Sequence, residues 1–251
     1  MDERTLTRLL SRVKKGAVSV PQAVQALKDL PFAELGFATV DTHRALRLGF
    51  PEVVLGQWKT TEQCAGIIGV LAARQQSVLV TRLQPEKARA LRQLFPKGHW
   101  HEQARIFSLR AARKPRAGKV AVICAGTSDL AVAEEAAVTA EAFGATVTRI
   151  NDVGVAGIHR LLKRRAEFTD AHAVVTVAGM EGALASAVGG LVGVPVVAVP
   201  TSVGYGVSAH GFTALLSMMA SCASNVAVVN IDNGFGAGFY AALISRTRGR
   251  R

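Results

Sequence analysis

The chain has 251 residues, 49% of them hydrophobic but only 6% aromatic, and a formal net charge of +12. That composition excludes a disordered chain and provides a core of Ala, Val, Leu and Ile large enough for two domains. Three cysteines, Cys64, Cys124 and Cys222, show no CxxC or Cys/His spacing, which argues against a disulfide framework and a structural zinc site.

Met1–Arg4 is polar and no apolar run follows it, so no signal peptide and a cytoplasmic location are expected. Glu3–Lys14 and Pro21–Leu30 are predicted amphipathic helices, with Ser19 capping the second. Apolar runs at Phe37–Val40, Val53–Leu55, Ser77–Val80 and Ala104–Leu109 are predicted strands, separated in part by helices over Thr61–Arg74 and Pro85–Phe95. Residues 1–115 are therefore expected to form a smaller, mixed α/β domain. The polar, basic stretch Ala111–Gly118, with Pro115, is the expected boundary. Residues 1–118 hold 20 Lys and Arg against 9 Asp and Glu, whereas residues 119–251 hold 10 against 9. The positives are scattered along helices without interleaved aromatics, so no nucleic-acid partner is expected. The charge reads instead as a solvated face, or as a field that draws in a small anionic substrate.

From residue 118 to 251 the pattern is more regular. Val120–Cys124, Ala145–Ile150, Ala173–Val177, Val194–Val199 and Val226–Ile231 are continuous β-branched runs, as in strands buried on both faces. Leu130–Phe143, Gly157–Phe168, Gly182–Leu191 and Gly211–Ser221 are predicted helices between them. The alternation predicts an α/β fold, a doubly wound parallel sheet in three layers. Ala171–Ile231 is apolar, but glycines, Pro195, Pro200 and Glu181 cut it into pieces too short to span a membrane.

Ligands of such a sheet bind outside the carboxyl ends of its strands. After the first of them, Gly126-Thr127-Ser128-Asp129 reads as a phosphate cradle or as an ordinary helix cap. After the second, Asp152 can accept ribose hydroxyls and Gly154 permits close backbone approach, while His159 reads as a surface residue. Pro200–Gly206 offers hydroxyls and glycines without charge. Asp232–Gly238 contains Gly-x-Gly-x-Gly, but its place after the last strand is wrong for a dinucleotide fingerprint. Glu181 is the one fixed charge between Ala171 and Ile231. Desolvation there would raise its pKa and suit proton transfer; the alternative is a side chain pointing to solvent. Cys222, among Ser and Ala neighbours, is either reactive or an inert core thiol, and Cys124, inside a strand, reads as inert. No Gly-x-Ser-x-Gly elbow, HExxH or P-loop is present, and no metal-ligating residues stand out.

Six motifs in order carry a resemblance: Gly126–Glu135 (GTSDLAVAEE), Asp152–Leu162 (DVGVAGIHRLL), Val177–Gly182 (VAGMEG), Val199–Gly206 (VPTSVGYG), Ser221–Ser224 (SCAS) and Val229–Gly238 (VNIDNGFGAG). With Asp41–Val54, they are similar to the LarB family of nickel-pincer nucleotide cofactor biosynthesis carboxylases over about residues 35–245. The resemblance implies a carboxyl-terminal domain like that of the aminoimidazole-ribonucleotide carboxylase/mutase, PurE, and a homo-octamer with sites at subunit interfaces. It implies carboxylation of the pyridinium ring of nicotinate adenine dinucleotide by carbon dioxide. Hydrolysis of the phosphoanhydride then yields AMP and pyridinium-3,5-biscarboxylate mononucleotide. No organic cofactor is implied, and a magnesium requirement is left open.

By the same resemblance Cys222 matches the nucleophile and Glu181 the base, with Gly179, Met180 and Gly182 lining the substrate pocket. Thr127, Ser128 and Asp129 match positions near the phosphates or the hydrolytic water, Asp152 and Gly154 the ribose, and Ser202, Tyr205 and Gly206 the ring carboxylate. Trp58, Ala185 and Val207–His210 depart from the family's usual residues. Two alternatives stand beside this reading: a purine-pathway carboxylase/mutase on the same fold, and a non-catalytic dinucleotide-binding protein.

Overall fold

In the computed structural model, which describes residues 3–27, 31–110 and 118–248, the chain divides into two units, residues 1–111 and 112–251. The first opens with helices α1 (Glu3–Lys14) and α2 (Val20–Leu27). Ser19 caps α2 as expected: its Oγ accepts the Gln22 amide at 3.3 Å while the Gln22 side chain accepts the Ser19 amide at 2.9 Å. Residues 28–30 of the expected helix lie outside the described residues. A hairpin of β1 (Phe32–Glu34) and β2 (Thr39–Asp41) precedes the short α3 (Arg44–Leu48). Then follow β3 (Val53–Leu55), α4 (Thr61–Ala73), β4 (Val78–Thr81), α5 (Pro85–Leu94), β5 (His99–His101) and β6 (Ile106–Leu109). β3 and β4 pair in parallel and the other neighbours antiparallel, in the order β3-β4-β6-β5. Val54, Ile68, Leu71, Val80, Leu91 and Phe107 fill its core. β1, α3 and β5 leave no signal in the sequence, because elements of three to five residues show too little periodicity. The expected boundary lies outside the described residues except for Gly118.

The second unit alternates strictly: β7 (Lys119–Cys124), α6 (Leu130–Ala142), β8 (Thr146–Ile150), α7 (Ile158–Lys163), β9 (Ala173–Ala178), α8 (Leu184–Gly189), β10 (Val196–Pro200), α9 (Phe212–Met219), β11 (Val226–Val228) and α10 (Gly234–Arg248). All five strands are parallel, in the order β11-β10-β9-β7-β8. One face, with Ile123, Val174 and Val196, packs on Leu161 of α7, Leu184 and Val188 of α8 and Met218 of α9. The opposite face, with Val122, Val175 and Val197, packs on Ala136 and Ala140 of α6 and Ala237 and Ala241 of α10. This is the expected three-layer α/β domain. The reading of every strand as buried on both faces holds for β7, β9 and β10 but not for the edges: β8 and β11 are only partly covered. Among the described residues no helix is long and apolar enough to cross a membrane.

α10 was not anticipated. Glycine is a poor helix former, so Gly234-Phe235-Gly236-Ala237-Gly238 reads locally as a turn. Tertiary packing decides otherwise. A Cβ on Gly234 or Gly238 would drive into the carbonyl oxygens of Val132 and Ala136 on α6, so glycine at i and i+4 lets the two helices touch backbone to backbone.

Candidate active site

The chain enters the sheet at β7, moves out to β8, and returns on the other side to β9, so the order of strands reverses between β7 and β9. Outside the carboxyl ends of strands at such a reversal, the flanking turns diverge and leave a crevice. Gly126–Asp129 follows β7 and Gly179–Gly182 follows β9.

Asp129 is the buried carboxylate here, with 4% of its surface exposed. Its Oδ1 accepts the Thr201 hydroxyl at 2.6 Å and its Oδ2 the Gly126 amide at 3.1 Å. Burial raises its pKa, and the nearby charge of Asp232 pushes the same way; Thr201 and the Gly126 and Gly179 amides pull back without cancelling it. The side chain does not cap α6. Thr127 and Ser128, beside it, are exposed and face outward from the same turn.

Of the two readings left open for Glu181, the structure shows the solvent-facing one. It is exposed on the single chain, so desolvation falls on Asp129 instead. The turn that carries Glu181 is nonetheless rigidly held. The Met180 amide donates to the Val203 carbonyl at 3.0 Å, and Met180 has a left-handed φ of 52°. A Cβ on Gly179 would drive into that same carbonyl, and one on Gly182 (φ 72°) would meet Ala214 and Met218 of α9. Gly204 lies against Met180 and Ser208. The turns after β9 and β10 thus interlock, with Ser202, Tyr205 and Gly206 exposed above them.

On the other side of the reversal, Gly154 packs on Ala125, donating its amide to that carbonyl at 2.9 Å. Asp152 is left-handed (φ 57°) and exposed, and its carboxylate pairs with Arg160 at 2.7 Å. The ribose acceptor expected there is therefore already an ion pair, and Arg160 brings a cation to this edge. Cys124 lies beneath. Its thiol donates to the Gly126 carbonyl at 3.1 Å, and burial pushes its pKa up to about 12, which fits the inert reading.

Cys222 is exposed, but it is not at this edge. α9 stops at Met219 rather than Ser221, and Cys222 stands in the turn before β11, whose first residue pairs with Val196 at the start of β10. It therefore lies toward the amino edge of the sheet. A strand of five residues, the length of β10, separates the two edges by roughly 16 Å. That turn is fixed by Ser221 and Ser186, whose hydroxyls meet at 2.8 Å, and by Asn225, whose amide donates to Gly189, Val192 and Val194 carbonyls. The structure thus gathers Thr127–Asp129, Asp152, Gly154, Gly179–Gly182, Ser202, Tyr205 and Gly206 at one edge of the chain and leaves Cys222 toward the other.

Residues 32–113 match the LarB/PurE-like N-terminal domain, and residues 119–250 match AIR carboxylase. The chain belongs to the LarB family. The uncharacterized protein MJ0165 of Methanocaldococcus jannaschii is 37% identical to it over 254 residues, covering 97% of this chain and 98% of its own. Both domain matches support a carboxylase/mutase-type enzyme, and the five-stranded sheet is consistent with the PurE-like fold of such LarB proteins. Three residues of this LarB chain were missed by reasoning from sequence alone: Thr201, Arg160 and Asp232. Thr201 meets Asp129 from 72 positions away, a pairing no local pattern carries. Asp232 could have been suspected, as a lone charge directly after the last strand. Among the described residues no cluster of three or more His, Cys, Asp or Glu side chains forms a metal site.

Proposed function

We propose that this LarB-family protein carboxylates the pyridinium ring of nicotinate adenine dinucleotide and hydrolyses its phosphoanhydride, giving pyridinium-3,5-biscarboxylate mononucleotide and AMP. The observation that carries the reading is the exposed thiol of Cys222 in a chain with an AIR carboxylase domain. An aminoimidazole is electron-rich and attacks carbon dioxide without covalent help. A pyridinium ring is electron-poor and must first accept a nucleophile. Cys222 thiolate adds to ring carbon 4 and makes carbon 5 an enamine carbon, which bonds to carbon dioxide and leaves an iminium. Glu181 then takes the carbon 5 proton, the ring electrons return, and the thiolate departs from carbon 4.

The remaining residues bind and orient. Thr127, Ser128 and Arg160 suit the phosphates, and Asp152 exchanges part of its ion pair for ribose hydroxyls. Gly154, Gly179, Met180 and Gly182 shape the turns that line the pocket. Ser202, Tyr205 and Gly206 lie where a ring carboxylate can be held. Asp129, whose burial raises its pKa, sits beside the Thr127–Ser128 turn and is assigned the proton transfer that accompanies release of AMP.

The site is completed by a second copy in an assembly of identical chains. Two observations support this: Cys222 and the carboxyl-edge turns lie toward opposite edges of one chain, and large apolar side chains are exposed. Phe212, Leu216 and Met219 form a stripe on α9, and Tyr205 is 80% exposed. A neighbouring copy would also supply the cover that Glu181 lacks.

Incubation with nicotinate adenine dinucleotide and bicarbonate, followed by mass spectrometry, tests the reading. A mononucleotide heavier by one carboxyl group, appearing with AMP, is the expected result. Turnover of aminoimidazole ribonucleotide in its place would move the protein to purine-type chemistry, and inertness toward both would favour a binding protein.

A further inference from the structure

Asp232 is the only carboxylate beyond β11 among the described residues, and no step above uses it. Its amide donates to the Pro200 carbonyl at 2.9 Å, and its Oδ1 accepts the Ser202 amide at 2.9 Å. One residue therefore grips the backbone on both sides of Thr201. Thr201 in turn donates its amide to the Ala178 carbonyl at 3.0 Å and its hydroxyl to Asp129. Beyond Ser202 run Tyr205 and Gly206, and Val203 holds the Met180 amide of the Glu181 turn. Asp232 reaches this position with a left-handed φ of 57°, a conformation that Asp and Asn tolerate and most residues resist. Asn233 then caps α10, its Oδ1 accepting the Gly236 amide at 2.7 Å. The bend at Asp232 lets one segment cap α10 and clamp the neighbouring turn.

We propose that Asp232 is a positioning residue: by holding the Ser202 amide it keeps the Thr201 hydroxyl on Asp129 and sets the Ser202–Gly206 turn for the substrate's ring carboxylate. The role of that turn rests on the pyridinium-carboxylase reading; the clamp itself does not. This role requires no contact between Asp232 and the substrate. Asp232 acts through Ser202, so its loss should weaken binding more than it slows turnover.

Two variants of the full chain separate the parts of this role. Asp232→Gly removes the carboxylate without straining the left-handed backbone, whereas Asp232→Asn keeps an oxygen for the Ser202 amide and removes only the charge. Steady-state kinetics with nicotinate adenine dinucleotide and bicarbonate are read beside hydrogen exchange of the 201–206 amides. Asp232→Gly should raise KM about tenfold with a smaller change in kcat, and speed exchange across 201–206 by a similar factor. Asp232→Asn should restore both toward wild type. Unchanged exchange and KM in Asp232→Gly would overturn the proposal, and so would an Asn variant as impaired as the Gly variant. If the wild type does not turn over the dinucleotide but the Gly and Asn variants still differ in exchange, the clamp stands and the substrate reading falls.

Discussion

The two edges of the five-stranded sheet are made from the same alanine- and glycine-rich stock, yet they are held in different ways. At the amino edge the turns are fastened by ordinary hydrogen bonds. Asn225 ties three carbonyls together, the Lys119 amide donates to His172 Nδ1 at 2.9 Å, and Lys119 pairs with Asp170 in solvent. Its turns contain no left-handed residue other than glycine among the described residues. At the carboxyl edge every turn but the first contains one: Asp152, Met180, Ala209 with His210, and Asp232. Each costs on the order of 1 kcal/mol or more, and the buried carboxylate of Asp129 adds to the cost. A fold that concentrates strain and desolvation on one edge, while its exposed thiol lies toward the other, fits the proposal that two copies each lend one edge to a site.

The largest expected effect tests that division directly. Cys222→Ala should lower formation of the carboxylated product by at least about 10³-fold, read by mass spectrometry. Glu181→Gln should lower it by about 10²–10⁴-fold. Unfolding and refolding the two inactive variants together should restore about a quarter of wild-type activity, because in a symmetric assembly some sites then draw both intact residues from different copies. No recovery would place both residues of a site on one chain.

Asp129→Asn comes next, with a loss of about 10²-fold in AMP release and a gain in stability that depends on pH. The folded pKa of Asp129 is raised, so its stabilising contribution is full below the ordinary carboxylate range and is lost as pH rises through the folded value. Thermal melts should therefore show the Asn variant gaining on wild type as pH rises above the ordinary carboxylate range, by a few degrees if about 1 kcal/mol is at stake. A difference independent of pH would mean that the burial of Asp129 carries no such cost.

Smaller effects sharpen the contrast between the edges. Gly179→Ala should cost about 1–3 kcal/mol and weaken dinucleotide binding, since its methyl group has no room beside the Val203 carbonyl. Asn225→Ala should cost about 1–2 kcal/mol by leaving the carbonyls it serves with fewer donors. Asp170→Asn, which breaks a solvent-exposed pair, should leave both the melting temperature and the activity unchanged.

The legibility of this chain in its sequence follows the same lines. β7, β9 and β10 were readable because burial on both faces demands uninterrupted apolar runs. α10 was not, because Gly234 and Gly238 serve the close approach of α6 at the expense of local propensity. The turns after the strands were found by position, and their interlocking was not. For Glu181 the apolar sequence neighbours left burial and exposure both open, and the fold leaves it exposed on the single chain. Asp129, in a polar stretch beside two hydroxyls, is covered by Thr201 from a distant strand end. Charge along a chain predicts charge in space only where neighbours in sequence are also neighbours in the fold.

The three thiols also turn the protein into its own gauge. Cys64 and Cys124 are buried, and Cys222 is exposed. Brief alkylation of the folded single chain should therefore add one label, and alkylation in denaturant should add three. A chain whose Cys222 is covered by a neighbour should add none until it is diluted, so intact mass alone would report folding and association in the same sample.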